Sequence, residues 1–527
     1  MLARVHSLSV VGLQGQPVEV EVDIANGLPA FDIVGLPDSA VRESRERVRS
    51  AIRNSGFDFP YKRITVNLAP ADIRKEGPVF DLPIAIGVLA AAGQVRGEEA
   101  GRHILAGELS LDGSLRPTAG ILPMAVAAWR VGLPGPRTSD QVEFVVPRDN
   151  GAEAAAVGGL RVRAAPNLRA VVEWLNGGET LPLAAEVAGG LRPDGPVLDF
   201  RDVRGQEGAK RALEVAAAGG HNVLLIGPPG SGKTMMARRI PGILPELTEE
   251  EALETSQIHS VAGLLPPGSG LLRRRPFRAP HHTASAAALI GGGQPPRPGE
   301  VSLAHHGVLF LDELPEFHRD ALEALRQPLE DGQVTVIRGG RAYRFPARFI
   351  LLAGQNPCPC GFWGSTDGRC TCTLPQVERY RGRVSGPLWD RIDLHVEVRQ
   401  PALADLEGSA AREEAGAATA AGEGSSGMLA RVTRAREAQR QRFRGRGLFC
   451  NAQMGKAELG EFCELDPQAR SLLGAAFERL GFTARAYDRV LKVARTIADL
   501  EGETRIGARY VAEAVQYRSL DRRLDTI

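Results

Sequence analysis

Gly227-Pro228-Pro229-Gly230-Ser231-Gly232-Lys233-Thr234 is the stretch on which the reading of this 527-residue chain turns. An apolar run of strand type, Asn222-Val223-Leu224-Leu225-Ile226, leads into it, and Met235-Met236-Ala237-Arg238-Arg239-Ile240 reads as a helix leaving it. A G-x-x-x-x-G-K-[ST] segment between a strand and a helix is a phosphate loop. Its glycines let backbone N–H groups curl round an anion, and the helix N-terminus adds a favourable dipole. In that chemistry Lys233 reaches the β- and γ-phosphates of ATP, and the Thr234 hydroxyl ligates Mg²⁺.

Downstream, Val308-Leu309-Phe310-Leu311-Asp312-Glu313 reads as a parallel strand ending in two carboxylates. Four apolar residues in a row suit a strand covered on both faces. Asp312 would hold Mg²⁺ through water and Glu313 would polarise the attacking water, which requires both beside the phosphate loop. Phe349-Ile350-Leu351-Leu352-Ala353-Gly354-Gln355-Asn356 repeats the design, ending in an amide. Asn356 is the polar amide that closes this strand, or a cap on the turn before Pro357. Between the two strands, residues 333–345 alternate around Gly339-Gly340 and predict a β-hairpin whose tip is flanked by Arg338, Arg341 and Arg344. Those arginines suit a DNA backbone, or the hairpin is simply solvated. Cys358-Pro359-Cys360 and Cys370-Thr371-Cys372 place four thiols in one Gly-containing loop. Paired cysteines match a closed Zn–S₄ site that staples a loop without a core, with free thiols or an Fe–S ligand set as alternatives. His281-His282 and His305-His306 read as polar packing or inter-subunit residues rather than metal ligands.

The first 175 residues alternate between strand and helix patterns: strands at 18–24, 31–37, 63–68, 103–109 and 143–147, helices at 39–54, 81–92 and 120–131. Mixed elements of this kind give an α+β domain. Within it, Lys75-Glu76-Gly77-Pro78-Val79-Phe80-Asp81 resembles the serine-bearing K-D-G-P-S-A-G loop of the Lon protease domain. Residues 107–122, Gly107-Glu108-Leu109 through Ala119-Gly120-Ile121-Leu122, resemble that domain's G-E-[IV]-x-L-x-G … G-G-x-K. Val79 stands at the serine position and Leu122 at the lysine position, and neither can supply a Ser–Lys dyad. The expectation is a Lon-like domain without peptidase chemistry.

Asp199-Phe200-Arg201-Asp202-Val203-Arg204-Gly205-Gln206 and the helix at 207–218 are similar to the opening of AAA+ ATPase modules. Under that resemblance Asn356 is a sensor 1, positioned to orient water at the γ-phosphate. Ser385-Gly386-Pro387-Leu388-Trp389-Asp390-Arg391-Ile392-Asp393-Leu394 resembles the arginine-finger segment of the Mg-chelatase and MCM branch, with Arg391 as the finger or else an ordinary salt-bridging arginine. A finger acting in trans requires a ring. Thr483 to Arg489 resembles the sensor 2 segment, with Arg485 the first choice and Arg489 the second, in cis or in trans. Arg278-Ala279-Pro280-His281-His282-Thr283 and Gly299-Glu300-Val301-Ser302 extend the resemblance to the ComM (YifB) family. It implies a hexameric, ATP- and Mg²⁺-dependent DNA motor that promotes branch migration of branched or single-stranded recombination intermediates during natural transformation. A chelatase-like ATPase remodelling a protein partner is the alternative.

The expected fold class is therefore multidomain α/β. A non-catalytic Lon-like α+β domain (1–175) and a linker (176–198) precede an AAA+ core with a parallel sheet and the four-cysteine loop (199–400). A flexible insertion (401–427) and a helical lid (428–527) follow. Sixty-four basic against 63 acidic residues leave a formal charge of +1, so any polyanion site is a local patch rather than a global field. Neither an apolar run of about 18 residues nor a signal-peptide pattern occurs, which predicts a cytoplasmic protein with no membrane partner. In that compartment six cysteines point to metal rather than disulfides.

Overall fold

The computed structural model describes residues 1–131, 143–187, 198–364, 368–400 and 424–518. A seven-stranded mixed sheet organises the first part of the chain, in the order Ala30–Val34, Arg63–Ala69, Gln14–Ala25, Leu2–Val11, Ile104–Leu105, Glu143–Pro147, Arg161–Ala165. Helices Asp81–Ala91 and Ile121–Val131 pack on it, and the first is buried along its whole length. The charged helix Ser39–Asn54 starts where Asp38 accepts the Val41 N–H, and buries Val41, Val48 and Ile52 at the spacing the sequence indicated.

One strand goes beyond the expectations for this part, and two expectations are corrected. Leu2–Val11 is a central strand that its sequence hides, because Ser7 and Ser9 are buried beside Leu8 and break the alternation. The single strand expected over 103–109 is two short ones, since Ala106 N–H bonds to Val145 and Gly107 N–H turns to Val79. Residues 176–187 are not linker. Leu181 and Ala184 are buried in the first core, and Pro182 accepts the Ala164 N–H. The rest of the expected linker, 188–197, lies outside the described residues. Val79 and Leu122 are both buried apolar residues of the same core.

The second part is built on a five-stranded, all-parallel sheet in the order Phe277–Arg278, Val308–Leu311, Ile350–Gln355, Val223–Ile226, Leu394–Glu397. Every strand therefore ends on one edge, and ligands of open parallel sheets bind outside the carboxyl ends. The helix after the phosphate loop is shorter than expected. Lys233–Ala237 is α-helical and gives way to a 3₁₀ turn at Ile240–Ile243, because Pro241 has no N–H to continue the helix.

Helices Ser425–Arg442, Lys456–Phe462, Pro467–Leu480, Ala484–Leu500 and Ala508–Gln516 follow, sharing one buried core with the parallel sheet. Residues 425–427 are already helical, not insertion. Phe200 N–H donates to Ser425 Oγ, and Ser425 N–H donates to Asp199, which fixes the first turn. The remainder of the expected insertion, 401–423, and the lid's last residues, 519–527, lie outside the described residues. No described helix is long and apolar enough to cross a membrane.

Ser260, in the helix Glu249–Val261, joins the two parts. Its carbonyl accepts Gly120 N–H, and its hydroxyl accepts Leu122 N–H while donating to Glu153 at 2.8 Å. Burial pushes the Glu153 carboxyl pKa up, so Asn150 and Ser260 are needed to satisfy it.

His305 and His306 both face Glu254 Oε2, at 3.2 and 3.0 Å, forming a trio whose donor atoms lie within 4.8 Å of one another. His305 Nδ1 accepts the Arg348 N–H, so the ring proton sits on Nε2, towards the carboxylate. A metal on that Nε2 would put the proton on Nδ1 against another donor, so the trio is polar packing. Burial brings the His305 pKa down to about 4. A folded-state value below the unfolded one gives stability that is complete above pH 6.5 and lost as pH falls towards 4. The loss amounts to roughly 3 kcal/mol. Thermal melts between pH 7 and pH 4 should show it, and His305→Asn should flatten that window; an unchanged profile in the variant would remove His305 as the cause.

Candidate nucleotide site

The phosphate loop, the two carboxylates and the amide meet at the carboxyl edge of the parallel sheet. Register explains how. Ile226 pairs with Gln355 and Leu311 with Ala353, so the amide strand lies between the phosphate-loop strand and the carboxylate strand. Asp312 must therefore reach across it, and Gly354 is the residue crossed. A Cβ there would lie 2.6 Å from Asp312 Oδ1. With that space open, Thr234 Oγ1 donates to Asp312 Oδ2 at 2.5 Å, bringing together the hydroxyl and the carboxylate expected to share Mg²⁺.

Lys233 Nζ folds back over the loop, donating to the carbonyls of Gly227 (2.7 Å) and Pro228 (3.0 Å) and to Asn356 Oδ1 (3.2 Å). Burial lowers its pKa, and Asp312 and Glu313 oppose that shift. Gly227 is pinned by its N–H to Gln355 O, and a Cβ on it would stand 2.1 Å from Val398 O. Ser231 Oγ is buried without a hydrogen-bond partner, the kind of orphan that a phosphate oxygen would satisfy. Gly230 and Gly232 take left-handed φ of 76° and 92°, and Pro229 forms the outer wall of the loop. The set fits a nucleoside triphosphate with Mg²⁺.

Glu313 follows Asp312 with a left-handed φ of 53° that turns its side chain out of the sheet, half exposed. His282 Nδ1 stands 3.5 Å from its carboxylate, and the His281 and His282 rings lie 4.1 Å apart. The expectation for His282, polar packing or an inter-subunit residue, did not include this contact. The signal that could have found it is its position just beyond the short strand Phe277–Arg278, whose carboxyl end faces the same edge.

Three family profiles match in chain order: Subunit ChlI of Mg-chelatase over residues 20–150, Magnesium chelatase, subunit ChlI over 199–406, and its C-terminal part over 422–518. Competence protein ComM of Haemophilus influenzae is 44% identical over 100% of this chain and 99% of its own. The protein YifB of Escherichia coli is 44% identical over 99% of this chain and 98% of its own. The chain belongs to the ComM/YifB family. The magnesium-chelatase 38 kDa subunit of Rhodobacter capsulatus is more distant, 28% identical over 31% of this chain and 51% of its own. The ComM/YifB chain is thus a Mg-chelatase-like member of the AAA+ class.

The remaining residues singled out in this ComM/YifB-family chain lie away from the loop. Arg391 precedes the strand Leu394–Glu397, at the amino edge of the sheet, where it donates to Pro387 O at 2.7 Å and pairs with Glu330. Arg485 is exposed, 3.8 Å from Asp390, and Arg489 is largely buried, 3.3 Å from Asp393. A cavity of about 460 Å³ on this edge is lined by Arg391, Arg489, Arg275, Arg348 and Lys492. The structure therefore does not bring Arg391 or Arg485 to the chain's own phosphate loop.

The hairpin forms as Gln333–Arg338 against Arg341–Pro346, with Gly339 and Gly340 at φ 55° and 74° as a type I′ turn requires. Its tip arginines, Arg338, Arg341 and Arg344, are exposed. The other side of the hairpin is not open as a solvated hairpin would be. Leu13 and Tyr343 pack on the same core, Gly12 approaches the Tyr343 ring, and Arg341 donates to Asp72 O at 2.7 Å. The first part of the chain braces it.

Proposed function

We propose that this protein hydrolyses ATP with Mg²⁺ in a ring, hexameric by resemblance, and uses the energy to move branched DNA. The observation that carries the first half is the convergence of Lys233, Thr234, Asp312, Glu313 and Asn356 on one sheet edge. In this reading the loop N–H groups, Ser231 and Lys233 hold the phosphates, and Thr234 with Asp312 holds the metal. Glu313 takes the proton from the attacking water, Asn356 orients that water, and Pro228, Pro229 and the glycines shape the cradle. Mg²⁺ neutralises charge on the phosphates when bound. Cys358, Cys360, Cys370 and Cys372 would hold a structural Zn²⁺.

Arg391 and Arg485 stand away from the chain's own phosphate loop, as a finger and a sensor acting in trans would, and this supports the ring reading. DNA as the cargo rests on the 44% likeness to a protein named for competence and on the exposed arginine tip of the hairpin. Distribution of charge fits too: with +1 overall, three arginines at one tip repeated round a ring are a local polyanion track.

The test is a four-way junction incubated with protein and ATP. Junction movement and DNA-stimulated hydrolysis are expected. Arg338→Glu with Arg344→Glu should weaken DNA binding and flatten its salt dependence while basal hydrolysis stays. If ATP drives no junction movement and junction DNA leaves hydrolysis unchanged, the motor reading fails, leaving an ATPase that remodels a protein partner.

A further inference from the structure

The loop that carries four cysteines rests against the loop that would carry the nucleotide. Cys358 Sγ lies 3.3 Å from Cys360 Sγ and 3.8 Å from Cys370 Sγ, and Cys360 and Cys370 are 3.5 Å apart. With Cys372 the four sulfurs all fall within 4.8 Å of one another. A tetrahedral ion with Zn–S bonds near 2.3 Å needs S···S edges of roughly 3.8 Å. A disulfide needs about 2.0 Å, and all four thiols are free. The set fits zinc and nothing tighter.

The loop brings little apolar burial of its own. Among the described residues from 357 to 373, only Cys358 and Gly361 are buried, so it has no apolar core of its own. Gly361 closes a turn on Cys358, its N–H donating to the Cys358 carbonyl at 3.0 Å. It takes φ +88°, and a Cβ placed on it would stand 2.5 Å from Pro229 Cδ and 2.7 Å from Pro229 Cγ. The turn bearing the first two thiols thus presses its bare backbone onto the proline ring of the phosphate loop.

Two further links run the same way. Arg369 stacks on Phe362 at 4.6 Å and donates to Gln400 Oε1 at 3.2 Å, while Gln400 Nε2 reaches Pro229 O at 3.5 Å. Asn356, two residues before Cys358, accepts from Lys233.

We propose that Cys358, Cys360, Cys370 and Cys372 bind one Zn²⁺ that fixes the wall of the phosphate loop through Gly361 and Pro229, so that metal occupancy sets nucleotide affinity. The proposal rests on reading Gly227–Thr234 as the nucleotide site. Removing the metal frees a loop with no core to hold it, and the Pro229 side of the cradle loses its backing. The order the loop lost must then be restored at the expense of binding free energy.

The full chain is purified under reducing conditions, its metal measured, and binding of a fluorescent ATP analogue titrated before chelation, after it, and after adding Zn²⁺ back. About one zinc per chain is expected, with affinity falling about tenfold on removal and returning on restoration. Gly361→Ala keeps all four thiols and forces the turn off Pro229. It should retain zinc yet show a comparable loss of affinity, with far-UV circular dichroism unchanged. Zinc far below one per chain overturns the metal site. Zinc present, with affinity indifferent both to its removal and to Gly361→Ala, overturns the coupling alone. If the zinc-loaded chain binds no nucleotide, or Lys233→Ala binds as well as the unaltered chain, the nucleotide reading falls and takes this proposal with it.

Discussion

Glu313→Gln is expected to bind ATP as the unaltered protein does and to hydrolyse it slower by a factor on the order of 10² to 10⁴, the usual contribution of a positioned general base. The substitution keeps the length and shape of the side chain but removes the charge that accepts a proton. Binding should survive because the phosphates and metal are held by other groups. Lys233 lies with the loop carbonyls, and Thr234 meets Asp312 across Gly354. Glu313 alone is turned outward, by its left-handed backbone, to where His282 stands 3.5 Å away. Phosphate release and binding of a fluorescent nucleotide, measured on the same preparation, separate the two effects. Undiminished hydrolysis would end the assignment of Glu313 as the base. Lost binding would mean that it holds the nucleotide instead.

Arg391→Ala should cost as much or more, on the order of 10³-fold or above for an arginine that neutralises transition-state charge. Its own phosphate loop leaves the carboxyl ends of the strands, whereas Arg391 precedes Leu394–Glu397 at their amino ends. The side of the sheet on which it stands therefore argues against a cis role. Acting in trans also requires it to leave Glu330 and the Pro387 carbonyl, its partners in the isolated chain. The decisive measurement mixes Arg391→Ala with Lys233→Ala, each inactive alone. A site shared between subunits regains hydrolysis in the mixture, because some interfaces then combine an intact loop with an intact arginine. No recovery, or full activity in Arg391→Ala, would reduce this residue to a surface ion pair and weaken the case for a ring.

Much of the candidate site was legible in the chain because its parts are local. A phosphate loop is eight consecutive residues, and Asp312, Glu313 and Asn356 each lie within two residues of the end of an apolar run of four or more. Such runs form buried parallel strands, and a buried strand must end before its first charge, so the carboxylates and the amide announce their own positions. The hairpin and the helix Ala484–Leu500 were legible for the same reason, by period and turn residue. Leu2–Val11 was not, because a central strand with serines on its buried faces has neither alternation nor an apolar run. His282 was missed because its contact depends on a carboxylate thirty-one positions away in sequence.

Local pattern alone marks out the candidate residues for phosphate, metal and water, and puts four thiols in one loop. Long-range packing set the order of the strands, with the amide strand between the other two, and hence that Gly354 must be bare for Asp312 to meet Thr234. It likewise decided that the cysteine turn leans on Pro229, that the first part of the chain braces the hairpin, and that Arg391 stands on the opposite edge. The difference is one of range. Propensity, period and turn chemistry act over a few residues, whereas strand order and loop-to-loop contact are settled by burial of side chains far apart in the chain.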